Sequence, residues 1–213
     1  MIATITQQDA ASDLVANYLN TLQKQGFTGD TDASYATRIT ASTDNSIYQQ
    51  LPQGVIFPKN EKDIQLALQT ASRDPFLSLT FGPRGGGTGT NGQSLTPGIV
   101  VDLSRYMREI LEINVEEGWV RVQTGVIKDQ LNDFLKPYGF FFSPDLSTSN
   151  RATIGGMIST DASGQGSLVY GKTSDHVLGL TTYLVDGTPM STAPINVEKA
   201  KIIAEQDTLV GTI

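Results

Sequence analysis

The chain has 213 residues, 38% hydrophobic and 17% charged, a balance typical of a soluble globular protein with a buried core. A net charge of −7 with scattered Lys and Arg disfavours nucleic-acid binding, and the absence of cysteine excludes disulfides and iron–sulfur clusters within this chain. With one histidine and no cysteine the chain lacks the usual ligands of zinc, so we expect no metal. Apolar runs are too short to span a membrane and no signal peptide is evident, so we expect a cytoplasmic location.

The residue pattern in the first part of the chain predicts alternating helices and strands. Apolar residues at helical spacing predict a helix over residues 9–25, ended by Gly26. The polar stretch 28–46 predicts irregular structure. The sequence then predicts a strand at 54–58, a helix at 61–73 capped by Asn60, a strand at 77–81 and a strand at 99–103.

The second part predicts a hairpin, a helix and a long loop region. The hairpin spans 109–123 with its turn at 116–118, and the helix spans 127–137 and ends at Gly139. Residues 140–171 are rich in Ser, Thr, Asn and Gly, and a long ordered loop region of this kind is usually functional. Further along, the sequence predicts a strand at 176–185, a turn at Asp186-Gly187 and one helical stretch after Pro194.

Residues 83–92, Pro-Arg-Gly-Gly-Gly-Thr-Gly-Thr-Asn-Gly, form a glycine-rich loop. Its successive N–H groups can converge on an anion. Arg84 adds a charged guanidinium group, and Thr88 and Thr90 add hydroxyl donors. We therefore predict a pyrophosphate site, the alternative being a flexible hairpin loop. The loop lacks the lysine of a P-loop, and it leads to a strand rather than into the helix that a Rossmann loop requires.

Two further segments combine small residues with hydrogen-bonding groups. In residues 153–166, Gly155-Gly156 and Ala162-Ser163-Gly164 allow a ligand to approach the backbone closely. The alternative is tight helix–sheet packing around small residues. In residues 143–150, a proline followed by short hydroxyl, carboxyl and amide side chains predicts a turn rich in hydrogen-bonding groups, or an ordinary surface turn.

Catalytic side chains are less evident. Histidine is a common catalytic base, but His176 is predicted to open an apolar strand and has no evident nucleophile partner, so a structural role is favoured. Asp44 and Asp161 are possible acids that nothing in the sequence pairs. The sequence therefore assigns no catalytic residue.

Together and in this order, the motifs resemble the FAD-binding domain of the vanillyl-alcohol oxidase/p-cresol methylhydroxylase (PCMH) superfamily. The resemblance covers residues 30–190 and rests on 43–48, 83–92, 153–164 and 170–179. The most similar branch is that of the bacterial D-2-hydroxyglutarate and D-lactate dehydrogenases of the flavin plus iron–sulfur type. The resemblance implies an α+β, PCMH-type FAD-binding fold with a small mixed sheet flanked by helices and the start of a second α/β lobe.

The resemblance also implies the cofactor and its contacts. FAD would place its pyrophosphate at the glycine-rich loop, its flavin and ribityl side at 144–147, and its adenine end at the backbone of Val177. FAD would be noncovalent, because Thr88 stands where some members carry the histidine that attaches it. The implied cofactor-binding residues are Arg84, Gly85, Gly86, Gly87, Thr88, Gly89, Thr90, Asn91, Pro144, Asp145, Ser147, Thr153, Gly155, Gly156, Ala162, Ser163, Gly164 and Val177.

For function, the resemblance implies an FAD-dependent oxidoreductase that converts a D-2-hydroxy acid, of the 2-hydroxyglutarate, lactate or glycolate type, to the 2-oxo acid and passes electrons to an acceptor. We expect this chain to be a fragment, with the catalytic base and an iron–sulfur cluster in the remainder of the protein. The alternative is a non-catalytic FAD- or nucleotide-binding fragment. The expected division is an N-terminal helix (1–29), a first FAD-binding subdomain (30–138) and a second, truncated one (139–213).

Overall fold

The N-terminal helix shows how local sequence sets its own limits. A computed structural model describes residues 10–212. Helix α1 (Asp13–Lys24) begins where the Ser12 hydroxyl accepts a hydrogen bond from the Val15 N–H, and it ends before Gly26, whose φ of +92° is the left-handed conformation that favours glycine. The predicted helix is confirmed from Asp13 to Lys24; residues 10–12 are not helical, and residue 9 lies outside the described part of the chain.

Four strands form the central sheet, in the order β1-β2-β4-β3. They are β1 (Asp30–Asp32), β2 (Gly54–Phe57), β3 (Phe81–Arg84) and β4 (Ile99–Asp102). Strands β2, β3 and β4 run parallel, and β1 is antiparallel to β2. The carboxyl ends of the parallel strands therefore meet at one edge of the sheet, and the glycine-rich loop leaves β3 at that edge.

Helices cover both faces of this sheet. Helices α1 and α3 (Glu61–Ala71) pack on one face against Ile56 and Ile99. Helix α2 (Tyr35–Ala41) lies on the opposite side, where its Ala41 clusters with Val55, Phe57 and Val100. Alternate residues of β2 thus enter different clusters, as strand geometry requires.

Residues 28–46 are not irregular, which corrects the prediction. They contain β1 and α2, because the Ser34 hydroxyl caps α2 at the Thr37 N–H. The Asp32 carboxylate fixes the approach to the helix by accepting hydrogen bonds from the Ser34 N–H (2.7 Å) and the Thr37 hydroxyl (2.5 Å). Local side-chain caps, rather than an apolar periodicity, build this region.

The predicted strand at 77–81 is wrong in position. Strand pairing begins at Phe81, opposite Ile99, and continues to Arg84. Before it, the chain forms turns in which the Phe76 N–H donates to the Arg73 carbonyl and the Leu79 N–H donates to the Phe76 carbonyl. Leu77 is 63% exposed. The alternating residues of 77–81 are therefore mostly a turn, and the strand includes the first residues of the glycine-rich motif.

The remaining elements follow the sheet in chain order. They are β5 (Ile110–Asn114), β6 (Trp119–Val122), α4 (Lys128–Leu135), α5 (Ile154–Ser159), α6 (Ser167–Tyr170), β7 (Thr181–Tyr183), β8 (Pro189–Ser191), α7 (Val197–Ala204) and α8 (Leu209–Thr212). The predicted hairpin is confirmed as β5–β6, and the predicted helix as α4 with a 3-10 turn that ends at Gly139.

Three predictions in this part need correction. The loop region 140–171 contains α5 and α6, because Thr153 caps α5 and small residues allow the tight turns around both. The strand predicted at 176–185 is only β7, since His176 ends a 3-10 turn. Two helices, α7 and α8, follow Pro194 instead of one.

Buried side chains of the second part form their own hydrophobic cluster. It combines α4, α5 and the inner face of the hairpin around Val126, Leu131 and Met157. The mixed α and β composition, with a small sheet between helices and a second group of elements after Gly139, agrees with the predicted α+β class. Among residues 10–212, no helix is both long and apolar enough to cross a bilayer.

Candidate functional site

The glycine-rich loop is anchored at its start by Arg84, the last residue of β3. The Arg84 guanidinium is partly buried and donates through Nη2 to the Thr43 carbonyl (2.8 Å). Through Nη1 it reaches the Ser94 hydroxyl (3.3 Å) and the Ala41 carbonyl (3.5 Å). Nε makes no hydrogen bond in the described part of the chain and Nη2 makes only one, so two N–H donors remain for a ligand.

A second anchor ties the loop to the segment that follows α2. The Asn45 N–H donates to the Gly87 carbonyl (3.0 Å), and the Asp44 carboxylate accepts from the Ser94 hydroxyl (3.1 Å) and the Ser46 N–H (2.9 Å). Burial acts to raise the pKa of Asp44, but these hydrogen bonds outweigh it and hold the pKa below its usual value. Asp44 is thus an ionised structural anchor rather than an acid catalyst.

The middle of the loop leaves its backbone donors free. Within residues 10–212, the N–H groups of 86–90 donate no hydrogen bond to the protein. At the far end, the Asn91 N–H is satisfied by the Gln93 side chain (3.0 Å) and the Leu95 N–H by the Gly92 carbonyl (3.0 Å). A run of consecutive free N–H groups between two anchored ends is what an anion such as a pyrophosphate requires.

The glycine-rich loop packs closely against residues 151–153, at the start of the 153–166 motif. A Cβ added at Gly85 would overlap Oγ1 of Thr153, and one added at Gly86 would overlap the Arg151 carbonyl oxygen. Thr153 also caps α5, accepting from the Gly156 N–H at 3.3 Å. The fold thus packs the glycine-rich loop against Arg151 and Thr153, which follow it by more than sixty residues.

Gly155 has a packing reason of its own. Its N–H donates to the Thr124 carbonyl (2.8 Å), and an added Cβ would lie 2.7 Å from Cβ of Thr124. Gly155 therefore meets the tight-packing alternative stated for this motif.

Residues 143–150 pack on the end of residues 153–166. A Cβ at Gly164 would overlap the carbonyl oxygen of Asp145, so these two backbones touch. Ala162, two residues earlier, accepts hydrogen bonds at its carbonyl from the N–H (3.1 Å) and hydroxyl (2.6 Å) of Thr173. Pro144 is buried, whereas Asp145, Ser147 and Ser163 are exposed.

His176 links the two sides of this region. Its Nε2 lies 2.7 Å from the Tyr170 carbonyl and 2.9 Å from the Ser143 hydroxyl. Because a carbonyl oxygen only accepts, Nε2 must carry a proton, and it has no lone pair with which to activate Ser143. These contacts agree with the structural role favoured for His176, while Val177 follows it as partly buried extended chain.

Sequence reasoning assigned no anchoring role to Thr43, Ser94 or Lys128. Thr43 and Ser94 hold the loop through a carbonyl and a hydroxyl, groups that every loop contains. Lys128 lies buried beside Asp145 at the start of α4, in a stretch that reads as an ordinary amphipathic helix. No local pattern distinguishes such residues, because their partners are distant in sequence.

Comparisons with known proteins agree on one family. The family model described as "FAD binding domain" matches residues 52–193. The chain is 60% identical over all 213 residues to D-2-hydroxyglutarate dehydrogenase of Escherichia coli (strain K12), of which it spans 21%. It is also 38% identical over 160 residues, 73% of the chain, to glycolate oxidase subunit GlcD of Bacillus subtilis (strain 168), spanning 33% of that protein.

Solved structures share the fold at low sequence identity. Alkyldihydroxyacetonephosphate synthase matches 93% of this chain and 38% of its own chain, with a TM-score of 0.74 and 18% identity. 6-Hydroxy-D-nicotine oxidase from Arthrobacter nicotinovorans matches 79% of this chain and 36% of its own, with a TM-score of 0.68 and 22% identity. These neighbours confirm the PCMH-type fold, and with the family match over 52–193 they establish that the chain belongs to the FAD binding domain family.

Proposed function

We propose that this chain is the FAD-binding part of a flavin-dependent dehydrogenase that oxidises a D-2-hydroxy acid to the corresponding 2-oxo acid. The observation that carries the proposal is the run of free N–H groups at 86–90, beside the Arg84 guanidinium. The names of the relatives, which include D-2-hydroxyglutarate dehydrogenase and glycolate oxidase, support the substrate class. The chain spans about a fifth of the length of the first of these relatives, so the activity of the whole protein is part of the proposal.

The residues present fit FAD in two ways. The free N–H groups and the Thr88 and Thr90 hydroxyls suit its pyrophosphate, and the exposed Ser163 offers a further hydroxyl for a polar part of the cofactor. When bound, FAD supplies the hydride acceptor for a carbon that bears a hydroxyl. The chain's own residues bind and orient; Pro144, Asp145 and Ser147 would hold the flavin side, and the Val177 backbone the adenine end.

Several finer parts of the proposal concern what lies outside these residues. The chain has no cysteine, so an iron–sulfur cluster that received electrons would be ligated elsewhere. A cytoplasmic location, the electron acceptor and the division into subdomains at residue 138 belong to the same proposal. Thr88 in the loop, together with the engagement of His176 by Tyr170, supports noncovalent attachment.

The second candidate is a fragment that binds FAD or another nucleotide without catalysis. It is favoured by the state of the titratable groups near the loop. The Asp44 carboxylate is occupied by Ser46 and Ser94, and Nε2 of His176 is occupied by Tyr170. Both groups take part in structural contacts, which favours cofactor binding over catalysis as the role of these residues.

The visible absorption spectrum of the purified chain, mixed with FAD and desalted, tests the proposal. We expect a retained flavin spectrum that bleaches with dithionite, and weaker binding by about 1.5–3 kcal/mol in Arg84→Ala, the size of a charge-assisted hydrogen bond. Arg121→Ala is the control, because its ion pair with Glu112 is on the hairpin and more than half exposed. A folded chain that stays colourless, or equal affinity in the two variants, would contradict the assignment.

A further inference from the structure

Lys128 occupies a position that folding alone does not favour. It is the first residue of α4, and its side chain is 8% exposed. Its Nζ lies 3.6 Å from the Asp145 carboxylate and makes no hydrogen bond elsewhere in the part of the chain described. An ammonium at the end of a mostly buried side chain loses much of its hydration, and at the first turn of a helix it faces the positive end of the helix dipole. Its ion pair with Asp145 offsets this cost, so the pair is the feature of interest.

The contacts of Lys128 join the three motifs of the site. Its backbone N–H donates to the Ala152 carbonyl (3.0 Å). The residues on either side of Ala152 are those that contact Gly85 and Gly86 of the glycine-rich loop. Its ammonium reaches Asp145, whose backbone touches Gly164. The side chain therefore connects the glycine-rich loop side to the 143–150 side.

The Asp145 carboxylate depends on this lysine. It is 63% exposed and, among residues 10–212, Lys128 is its only polar partner. Helix α4 is held by its own hydrophobic cluster around Leu131 and Leu135, so Nζ is a fixed point to which the more exposed loop is attached. The direction of support is from the buried lysine to the exposed aspartate.

We propose that Lys128 is a positioning residue that, through Asp145, sets the 143–147 loop against Gly164 and so shapes the flavin side of the cofactor site. The inference rests on the proposed function and deepens it. Lys128→Met keeps an unbranched apolar stem but removes the charge, so the cluster around α4 stays filled while Asp145 loses its attachment.

The test measures two properties of the 213-residue chain: the Kd for FAD by titration, and the visible circular dichroism of the bound flavin, which reports its surroundings. We expect Lys128→Met to raise the Kd about tenfold and to change the dichroism, with Lys128→Arg remaining closer to wild type in both. The matched control is Arg121→Met, which removes an exposed ion pair on the hairpin and should leave both unchanged.

A double variant shows whether Lys128 acts through Asp145. If it does, Lys128→Met weakens FAD binding much less in the Asp145→Asn background than in the wild-type background; an equal effect in the two backgrounds would overturn the inference. If Lys128→Met does not fold, Asp145→Asn alone, at an exposed position, must change the dichroism, and a wild-type spectrum would overturn it. If wild-type protein binds FAD and Lys128→Met binds it with the same Kd and dichroism, only this inference is overturned. If wild-type protein binds no FAD, the proposed function is overturned as well.

Discussion

Gly85 and Gly86 touch the 151–153 segment through different kinds of atom, and the difference has consequences. At Gly85 the obstacle is a side-chain hydroxyl, that of Thr153, which can rotate at the expense of its cap on α5. At Gly86 the obstacle is the backbone carbonyl of Arg151, which moves only if the chain moves. The second glycine is therefore the less replaceable of the two.

We expect Gly86→Ala to destabilise the protein by about 1–3 kcal/mol, the usual cost of forcing an extra methyl group into packed structure. Urea denaturation followed by circular dichroism measures it. Gly179→Ala is the matched control, because the nearest atom to an added Cβ lies 3.5 Å away, and it should stay within about 0.5 kcal/mol of wild type. Equal midpoints for the two variants would show that the loop does not pack on 151–153 as described.

At the scale of elements, α1 and α3 are joined by one buried hydroxyl. The Tyr18 O–H donates to the Ala67 carbonyl (2.9 Å), and the ring lies edge-on to Phe76 and Phe81 at centroid distances of 5.4 and 5.7 Å. Burial raises the pKa of Tyr18, so the hydroxyl stays protonated and remains a donor at any ordinary pH. The helix pair is thus fixed in register as well as buried.

Removing only that hydroxyl should be measurable. Tyr18→Phe keeps the ring contacts and deletes the hydrogen bond, so we expect a loss of about 0.5–1.5 kcal/mol in the free energy of unfolding. Tyr35→Phe provides the comparison, since Tyr35 is 36% exposed and its hydroxyl makes no hydrogen bond within residues 10–212. A Tyr18→Phe curve that superimposes on the Tyr35→Phe curve would mean that the bond contributes nothing to stability.

For the whole molecule, acidic side chains in separate turns respond to pH in the same direction. The hydrogen bond from Lys172 lowers the pKa of Asp161, and the Thr188 N–H lowers the pKa of Asp186. For Asp44 burial acts in the opposite sense, but hydrogen bonds from Ser46 and Ser94 produce a net lowering. Each carboxylate is more acidic in the folded chain than in the unfolded chain, so each favours folding while it is ionised.

The sign of the pH dependence follows directly. Above the unfolded pKa of an aspartate, about 4, the stabilisation is complete; as the pH falls further, through the lower folded pKa values, it is lost. We expect the free energy of unfolding to fall below about pH 4, and the fall to be shallower in Asp44→Asn. Urea denaturation at a series of pH values measures this slope.

Asp133→Asn is the control for this series, because its exposed carboxylate accepts no hydrogen bond in the part of the chain that is described. The same slope in Asp44→Asn and wild type would show that the bonds from Ser46 and Ser94 to Asp44 do not stabilise the fold.

The sequence by itself determined the features that depend on near neighbours. Helical spacing and caps located α1, α3 and α4, the buried runs located β2 and β4, and alternation around Gly118 located the hairpin. The motifs of the FAD binding domain family could be recognised in the sequence for the same reason, since each is a continuous stretch with its own turn and cap residues.

Only the tertiary structure decided which of those stretches meet. Strand β3 begins at Phe81 because it pairs there with Ile99, not because of its own alternation. The contacts of Gly86 with Arg151 and of Lys128 with Asp145 join residues that no spacing rule connects. Local patterns report the conformation a segment prefers, whereas contacts between segments depend on how buried surfaces fit together across the whole chain.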